Sequence, residues 1–392
     1  MKRNIIFLIY IKLFMGVSSY IFDIGIVIYL YQKNQSLQEV GGFFIAQLLP
    51  AILVLFSGEI IDYFQSKNVL IISNLCKILI FISIIFVKNI WFIYCVTFIY
   101  NLLLEFERNM TQVLVSYLCK KEDIFRVNSV LNVVDGAIMV IIPIIVAIMT
   151  EKTSLNLLII IASLALSLTI LGISFISRKK TILSTNSRKI MCGRVYLDLF
   201  KNKKIRNLSL LWMVFMICIG ITGPLEIVMI ETILNKSSFF YGVGNTIEGI
   251  GLLFASIIVT FIARKYYYYS IIPIGMACAA CSYLIIGLSP NISFYLIGAF
   301  FVGITSTLCP MGFRNELQMI CEENMIGRCL ASVRFFVISA RLAGTLITST
   351  FVHEKYIRMV YILVTFILII SFFYIYLNKD YYLEPNKQKP AN

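Results

Sequence analysis

Apolar stretches, most of them near twenty residues, follow one another from Ile5 to Leu377 with only short polar joints between them. A bilayer core takes ~20 apolar residues of helix to cross, so this chain is predicted to thread a membrane repeatedly, with lipid as its solvent. Spans are expected at 5–31, 40–61, 69–87, 90–107, 128–149, 154–177, 207–233, 239–263, 269–288, 292–313, 329–351 and 356–377. In lipid every backbone polar group must be satisfied inside a helix or a closed barrel. Barrel strands alternate apolar and polar residues over ~10 positions. These stretches are longer and uniformly apolar, which leaves helices.

The formal net charge of +14 would suggest nucleic acid in a soluble protein, but its placement here has another cause. With both termini cytoplasmic, the cytoplasmic segments hold 24 of the 34 Lys and Arg. The outer loops hold Lys33, Lys88, Lys152, Lys236, Lys355 and Arg358, and Lys12, Lys77, Arg334 and Arg341 fall inside spans. That bias is the positive-inside rule, and no nucleic-acid partner is expected. Met1-Lys2-Arg3-Asn4 before a long apolar run has the look of a signal peptide. The run is too long, contains Asp23 and shows no small-residue cleavage site, so it reads as a retained first span.

Ten cysteines are scattered without a disulfide framework, and Cys278-Ala-Ala-Cys281 lies in an apolar span without histidine partners, where small residues pack helices. His353 is the only histidine, which excludes a zinc site or triad built on several. No Gly-x4-Gly-Lys-Ser/Thr phosphate loop and no His-Glu-x-x-His motif occurs. No cofactor or metal is therefore expected, no enzymatic site is indicated, and an ion gradient, of protons, is the expected energy source.

The longest polar joint, 178–206, carries Arg178, Lys179, Lys180, Arg188, Lys189, Arg194, Lys201, Lys203, Lys204 and Arg206 against a single acid, Asp198. It reads as a cytoplasmic linker, placed to lie over anionic headgroups, between an N-terminal bundle at 1–177 and a C-terminal bundle with a short tail at 207–392. The two halves repeat. Ser36-x4-Gly41 returns as Ser237-x4-Gly242, Arg108-Asn109-x-x-Gln112 as Arg314-Asn315-x-x-Gln318, and Cys119-x6-Arg126 as Cys321-x6-Arg328. Duplicated halves are a transporter architecture, with the substrate path between them. The expected fold is all-α integral membrane, about twelve transmembrane helices in two pseudo-symmetric six-helix bundles, functional as a monomer because one chain holds both halves.

The segment Gly58-Glu59-Ile60-Ile61-Asp62-Tyr63-Phe64-Gln65-Ser66-Lys67 resembles the loop after the second span of the major facilitator superfamily, Gly-x-x-x-Asp-Arg-x-Gly-Arg-Arg. Gly58, Asp62 and Lys67 match; Tyr63, Gln65 and Ser66 depart. The chain is similar in particular to the macrolide-efflux and enterobactin-exporter branch, through Leu49-Pro50, the run from Asn68 to Lys77, Lys121-Glu122-Asp123, Asn128-Ser129 and Gly327-Arg328. The resemblance implies the major facilitator fold and a cytoplasmic gate latch formed by Gly58, Asp62 and Lys67. Arg108, Arg126, Arg314, Gly327 and Arg328 would lie in the gate loops. In the second half Ala263-Arg264-Lys265 stands where the acid of the motif would be. Gly136 and Pro143 occupy the place of the glycine-rich antiporter run, whose other glycines are missing here.

Ionisable groups within spans are expensive and mark transport paths. Asp23 and Glu226 lie midway in the first and seventh spans, 18 and 16 residues before Gly41 and Gly242, and Glu248 follows in the eighth. With Asp135, Lys77, Arg334 and Arg341 they form the expected substrate and proton pathway. The carboxylates suit a cationic substrate; Arg334 and Arg341, seven residues apart on one helix face, suit an anionic one. The resemblance implies a secondary active transporter in the bacterial cytoplasmic membrane. It would export a small amphipathic, drug- or macrolide-like molecule by proton-coupled alternating access. Siderophore export and lysophospholipid transport are the alternatives on the same fold, and a non-transporting receptor or assembly factor is a more distant one.

Overall fold

The computed structural model describes residues 2–54, 66–118, 121–175, 202–262, 268–321 and 326–378. They form the helices α1 (Lys2–Asn34), α2 (Leu37–Val54), α3 (Ser66–Phe86), α4 (Ile90–Leu118), α5 (Lys121–Lys152), α6 (Leu155–Ser174), α7 (Lys203–Thr222), α8 (Leu225–Val228), α9 (Phe239–Ile262), α10 (Tyr268–Leu288), α11 (Ile292–Ile320), α12 (Ile326–Phe351) and α13 (Ile357–Leu377). Among the described residues, 11 helices are long and apolar enough to cross a membrane, and the apolar part of α2, Leu37–Leu53, is shorter. The protein is an all-helical, multi-pass membrane protein.

Outward-facing Trp91, Phe86, Leu79, Phe351 and Leu377 are strongly exposed along these helices, as lipid-facing side chains must be. Where spans end, local chemistry is visible. Asn202 and Asn291 cap α7 and α11 by accepting from the amides of Lys204 and Phe294. Gln35 and Asn235 close the first and seventh spans with φ of 49° and 50°, the left-handed turn that ends helices. They stand just ahead of Ser36 and Ser237, so the repeat read from residue types is also a repeat of backbone conformation.

The chain divides into two compact units, Met1–Ile190 with Lys236–Thr246, and Met191–Asn235 with Ile247–Asn392. Their internal pairings correspond. In the first unit α1 packs on α5, α3 on α6 and α3 on α4; in the second α7 packs on α12, α10 on α13 and α10 on α11. The second helix of each half also meets the fourth, α2 against α4 and α9 against α11.

Of the elements that differ from the spans read off hydropathy, two bear on the charged residues. Helix α4 runs on to Leu118, so Glu105, Glu107 and Arg108 lie inside it rather than at its end. The seventh span, expected unbroken over 207–233, stops at Thr222, turns at Gly223-Pro224, restarts as α8 and continues as a π-helical turn at Met229–Ile233. Proline lacks the N–H that continues a helix, and its ring clashes with the preceding turn.

Candidate functional site

In the first unit, helices α1 to α4 bring together a polar cluster in otherwise apolar surroundings. Gln47 of α2 donates to Asp23 of α1 at 3.0 Å. One turn earlier on α1, the hydroxyl of Ser19 stands 2.9 Å from that of Tyr100 on α4. Lys77 of α3 lies over the Tyr100 ring, 5.1 Å from its centroid. Its ammonium forms an ion pair with Glu107 of α4, and both side chains are buried, at 1% and 0% exposure. A charge buried this completely must be paired, and Lys77 and Glu107 meet that requirement for each other. Arg108 pairs with Glu105 at 2.6 Å, and Lys12 with Asp135 at 2.9 Å.

In the second unit the break after α7 places Glu226 in the first turn of α8. Glu226 interacts electrostatically with Glu248 of α9, and Arg341 of α12 interacts with both and with the buried Tyr283 of α10. The hydroxyl of Ser306 on α11 donates to Glu248 at a long 3.4 Å. Thr222 and Tyr283 share a hydroxyl contact at 3.3 Å beneath the break. Two acids therefore face one cation here. Among the described residues, no Lys or Arg comes within ion-pair distance of Asp23, Glu226 or Glu248.

Glycines set the positions of these groups. A Cβ on Gly303 would stand 1.9 Å from the Glu248 carbonyl oxygen, and one on Gly251 2.1 Å from that of Phe300. A Cβ on Gly220 would stand 2.0 Å from the Arg341 carbonyl, and one on Gly344 2.2 Å from that of Ile217. The α9–α11 and α7–α12 crossings are thus closed backbone to backbone at the two residues, Glu248 and Arg341, whose side chains carry the charge. Small residues allow such approach in membrane helices.

Of the residues singled out by sequence, the structure groups Glu226, Glu248 and Arg341 in one unit, and Asp23 and Lys77 in the other. Asp135 is engaged with Lys12, and Arg334 is exposed on α12. Lys67 donates to the Ser174 carbonyl at 2.8 Å, tying the start of α3 to the end of α6. Arg314 is exposed near the end of α11. Gly58 and Asp62 lie outside the described residues, as do the side chains of Arg126 and Arg328 and the surroundings of Gly327 in their helices. Sequence reasoning missed Gln47, Ser306, Tyr283 and the role of Glu107 as counter-ion. Gln47 had a signal: it precedes Glu248 by 201 residues, the offset that relates Gly41 to Gly242.

A model of the Major Facilitator Superfamily matches residues 6–315, well over half of the chain. Among solved structures, the chain is similar to the nucleoside transporter NupG, with a TM-score of 0.81 at 11% identity over 96% of this chain and 99% of that one. It is also similar to a POT family transporter solved with 5-aminolevulinic acid, at 0.77 and 11% over 97% of each chain. A bacterial homologue of the iron transporter ferroportin in its inward-facing state gives 0.74 and 12% over 96% and 98%. At such identities the likeness is one of fold. No curated protein matches the chain.

Proposed function

This chain belongs to the major facilitator superfamily, and from that membership we propose that it exports a small amphipathic molecule bearing a cationic amine, in the manner of a macrolide, by proton-coupled alternating access. Membership makes it a secondary transporter of a small-molecule substrate rather than an enzyme. The remaining points are argued from the charges.

The observation that carries the proposal is the excess of carboxylates over cations at the two clusters. Lys77 is committed to Glu107, and Arg341 faces Glu226 and Glu248 together. Asp23 is held by an amide, which orients a carboxylate without neutralising it, and the cations that act on it, Arg108 and Lys77, are each paired with another acid. An intramembrane carboxylate without an ion-pair partner is costly, and a cationic substrate or a proton relieves that cost. Either occupant suits the same groups, and competition between them would couple export to proton entry. An anionic substrate finds less support, because Arg341 already stands opposite two acids. The direction of transport follows from the likeness to the efflux branch at Leu49-Pro50, Asn68 to Lys77 and Gly327-Arg328.

The test is accumulation of a labelled macrolide in efflux-deficient bacteria expressing the chain, with and without a protonophore. Expression is expected to lower accumulation, and the protonophore to restore it. The triple variant Asp23→Asn, Glu226→Gln, Glu248→Gln is expected to abolish export while reaching the membrane at normal level. Export surviving in that variant would sink the assignment of the carboxylates, and unchanged accumulation with the native chain would sink the macrolide-like substrate.

A further inference from the structure

The break that delivers Glu226 is repaired from a neighbouring helix. Pro224 has no N–H, so the carbonyl of Gly220, four residues earlier, loses its helical donor. In hydrocarbon an orphaned carbonyl needs another partner. The Thr345 hydroxyl on α12 stands 3.1 Å from the Gly220 oxygen, and the Thr348 hydroxyl donates to the next carbonyl, Ile221, at 2.8 Å. Thr345 also lies 3.2 Å from the Arg341 carbonyl of its own helix, so the bond from Thr348 is the undivided one. Both threonines are buried, at 2% and 0% exposure. The reach is possible only because Gly220 and Gly344 let α7 and α12 touch along the backbone.

These threonines follow Arg341 by four and seven residues, so all three lie on one face of α12. That single face therefore supplies both the donors that splint the break and the cation that faces the carboxylate beyond it. Threonine hydroxyls in membrane helices commonly bond back within their own helix, as Thr169 does to Ala165 and Thr365 to Tyr361. Thr348 instead spends its one proton across the helix interface, on the carbonyl of Ile221 in the last turn of α7 before the break.

We infer that Thr345 and Thr348 are positioning residues for Glu226, Thr345 replacing the donor lost at Pro224 and Thr348 anchoring the next carbonyl, so that together they fix the angle at which α8 leaves α7 and hold the carboxyl opposite Arg341. The inference rests on the reading of Glu226 as a transport carboxylate, but the geometry has a readout independent of transport. Carboxyl groups of the full-length chain in lipid vesicles are labelled at one pH with a membrane-permeant carbodiimide. Labelling of Glu226, Glu248 and Asp23 is then quantified by peptide mass spectrometry.

Thr345→Val/Thr348→Val keeps the side-chain shape and removes both donors. Labelling of Glu226 is expected to rise at least about threefold as the carboxyl leaves its place opposite a cation. Asp23, in the other unit, should not change. Thr345→Ser/Thr348→Ser, which restores the donors, should return Glu226 to the native level. Unchanged Glu226 labelling in a folded valine variant would overturn the inference, as would failure of the serine variant to restore it. If the double valine variant does not fold, Thr348→Val with Thr348→Ser as rescue makes the same test on the undivided bond. In a parallel transport assay the valine variant should lose Vmax more than it changes KM. Normal transport by Glu226→Gln would refute the role of that carboxylate, while the labelling result would still decide what the threonines do.

Discussion

The two units use one packing plan and opposite charge arrangements. In the first, the acid of the first helix meets an amide, Asp23 with Gln47, and the strongest charges, Lys77 and Glu107, neutralise each other in full burial. In the second, the position matching Gln47 is Glu248, so an acid stands where the first unit has an amide. The cation comes from α12, and Lys77 has no charged counterpart in α10. The close contacts beside the charges differ in the same sense. Gly220, Gly251, Gly303 and Gly344, at the crossings that hold Glu248 and Arg341, face backbone oxygens. Gly16, Gly25, Gly42 and Gly172 of the first unit face side chains, as Gly275, Gly287, Gly298 and Gly312 of the second do away from the charges. Side chains can yield by changing rotamer and a helix backbone cannot. The first unit thus invests its charge in a structural pair, and the second holds its charge at rigid crossings and leaves it unbalanced.

The largest effect expected from this contrast is at the buried pair. Lys77→Met leaves Glu107 ionised in an apolar site, where one carboxylate oxygen already lacks a hydrogen-bond partner. Removing one member of a buried pair costs about 3–5 kcal/mol, while replacing both by apolar residues is often neutral. Thermal unfolding in detergent should therefore show Lys77→Met strongly destabilised and Lys77→Met/Glu107→Leu restored to near the native midpoint. A single variant no less stable than the double would break the assignment of Lys77 to structure.

Next in size are the glycines. Gly303→Ala would put a methyl carbon 1.9 Å from the Glu248 carbonyl oxygen, and the helices must separate. The expected cost is about 1–3 kcal/mol, the range for overpacking, with transport lost because Glu248 moves. Gly25→Ala is the control in the first unit: its new carbon would stand 3.7 Å from Leu158, ordinary contact. Alanine is also the better helix former by about 1 kcal/mol. The same unfolding measurement should find Gly25→Ala neutral or stabilised. Equal losses at both positions would mean that the crossings of the two units are not different in kind.

Much of this architecture is legible in the residues. Uninterrupted apolar runs have one solution in lipid, and the recurrence of Ser36-x4-Gly41 as Ser237-x4-Gly242 marks two halves whose helix ends repeat to the backbone angle. What was not legible depends on distance in sequence. Glu107 lies 30 residues from Lys77, and nothing in either helix alone says that they meet. Thr345 is separated from Gly220 by 125 residues, and its function is defined only by the carbonyl that Pro224 leaves open. The break itself was written in Gly223-Pro224, yet hydropathy is blind to it because both flanks are equally apolar. Helix α4 outran its apolar stretch because a chain leaving the bilayer as a helix need not unwind where hydrophobicity ends.

The smallest effect expected is at Lys12 and Asp135, and it sharpens the contrast within the first unit. This pair is as short as an ion pair need be, 2.9 Å, but its side chains are 31% and 50% exposed, against 1% and 0% for Lys77 and Glu107. Where water or headgroups reach both members, solvation replaces most of what the partner supplies, and such pairs contribute ~0–1 kcal/mol. Asp135→Asn should therefore shift the unfolding midpoint little, and added salt should erase even that difference. The Lys77 pair, closed to ions, should show the same cost at every salt concentration. A salt-insensitive loss of several kcal/mol in Asp135→Asn would mean that Asp135 works as a buried charge, and would place it with Asp23 among the groups whose ionisation the fold has to manage.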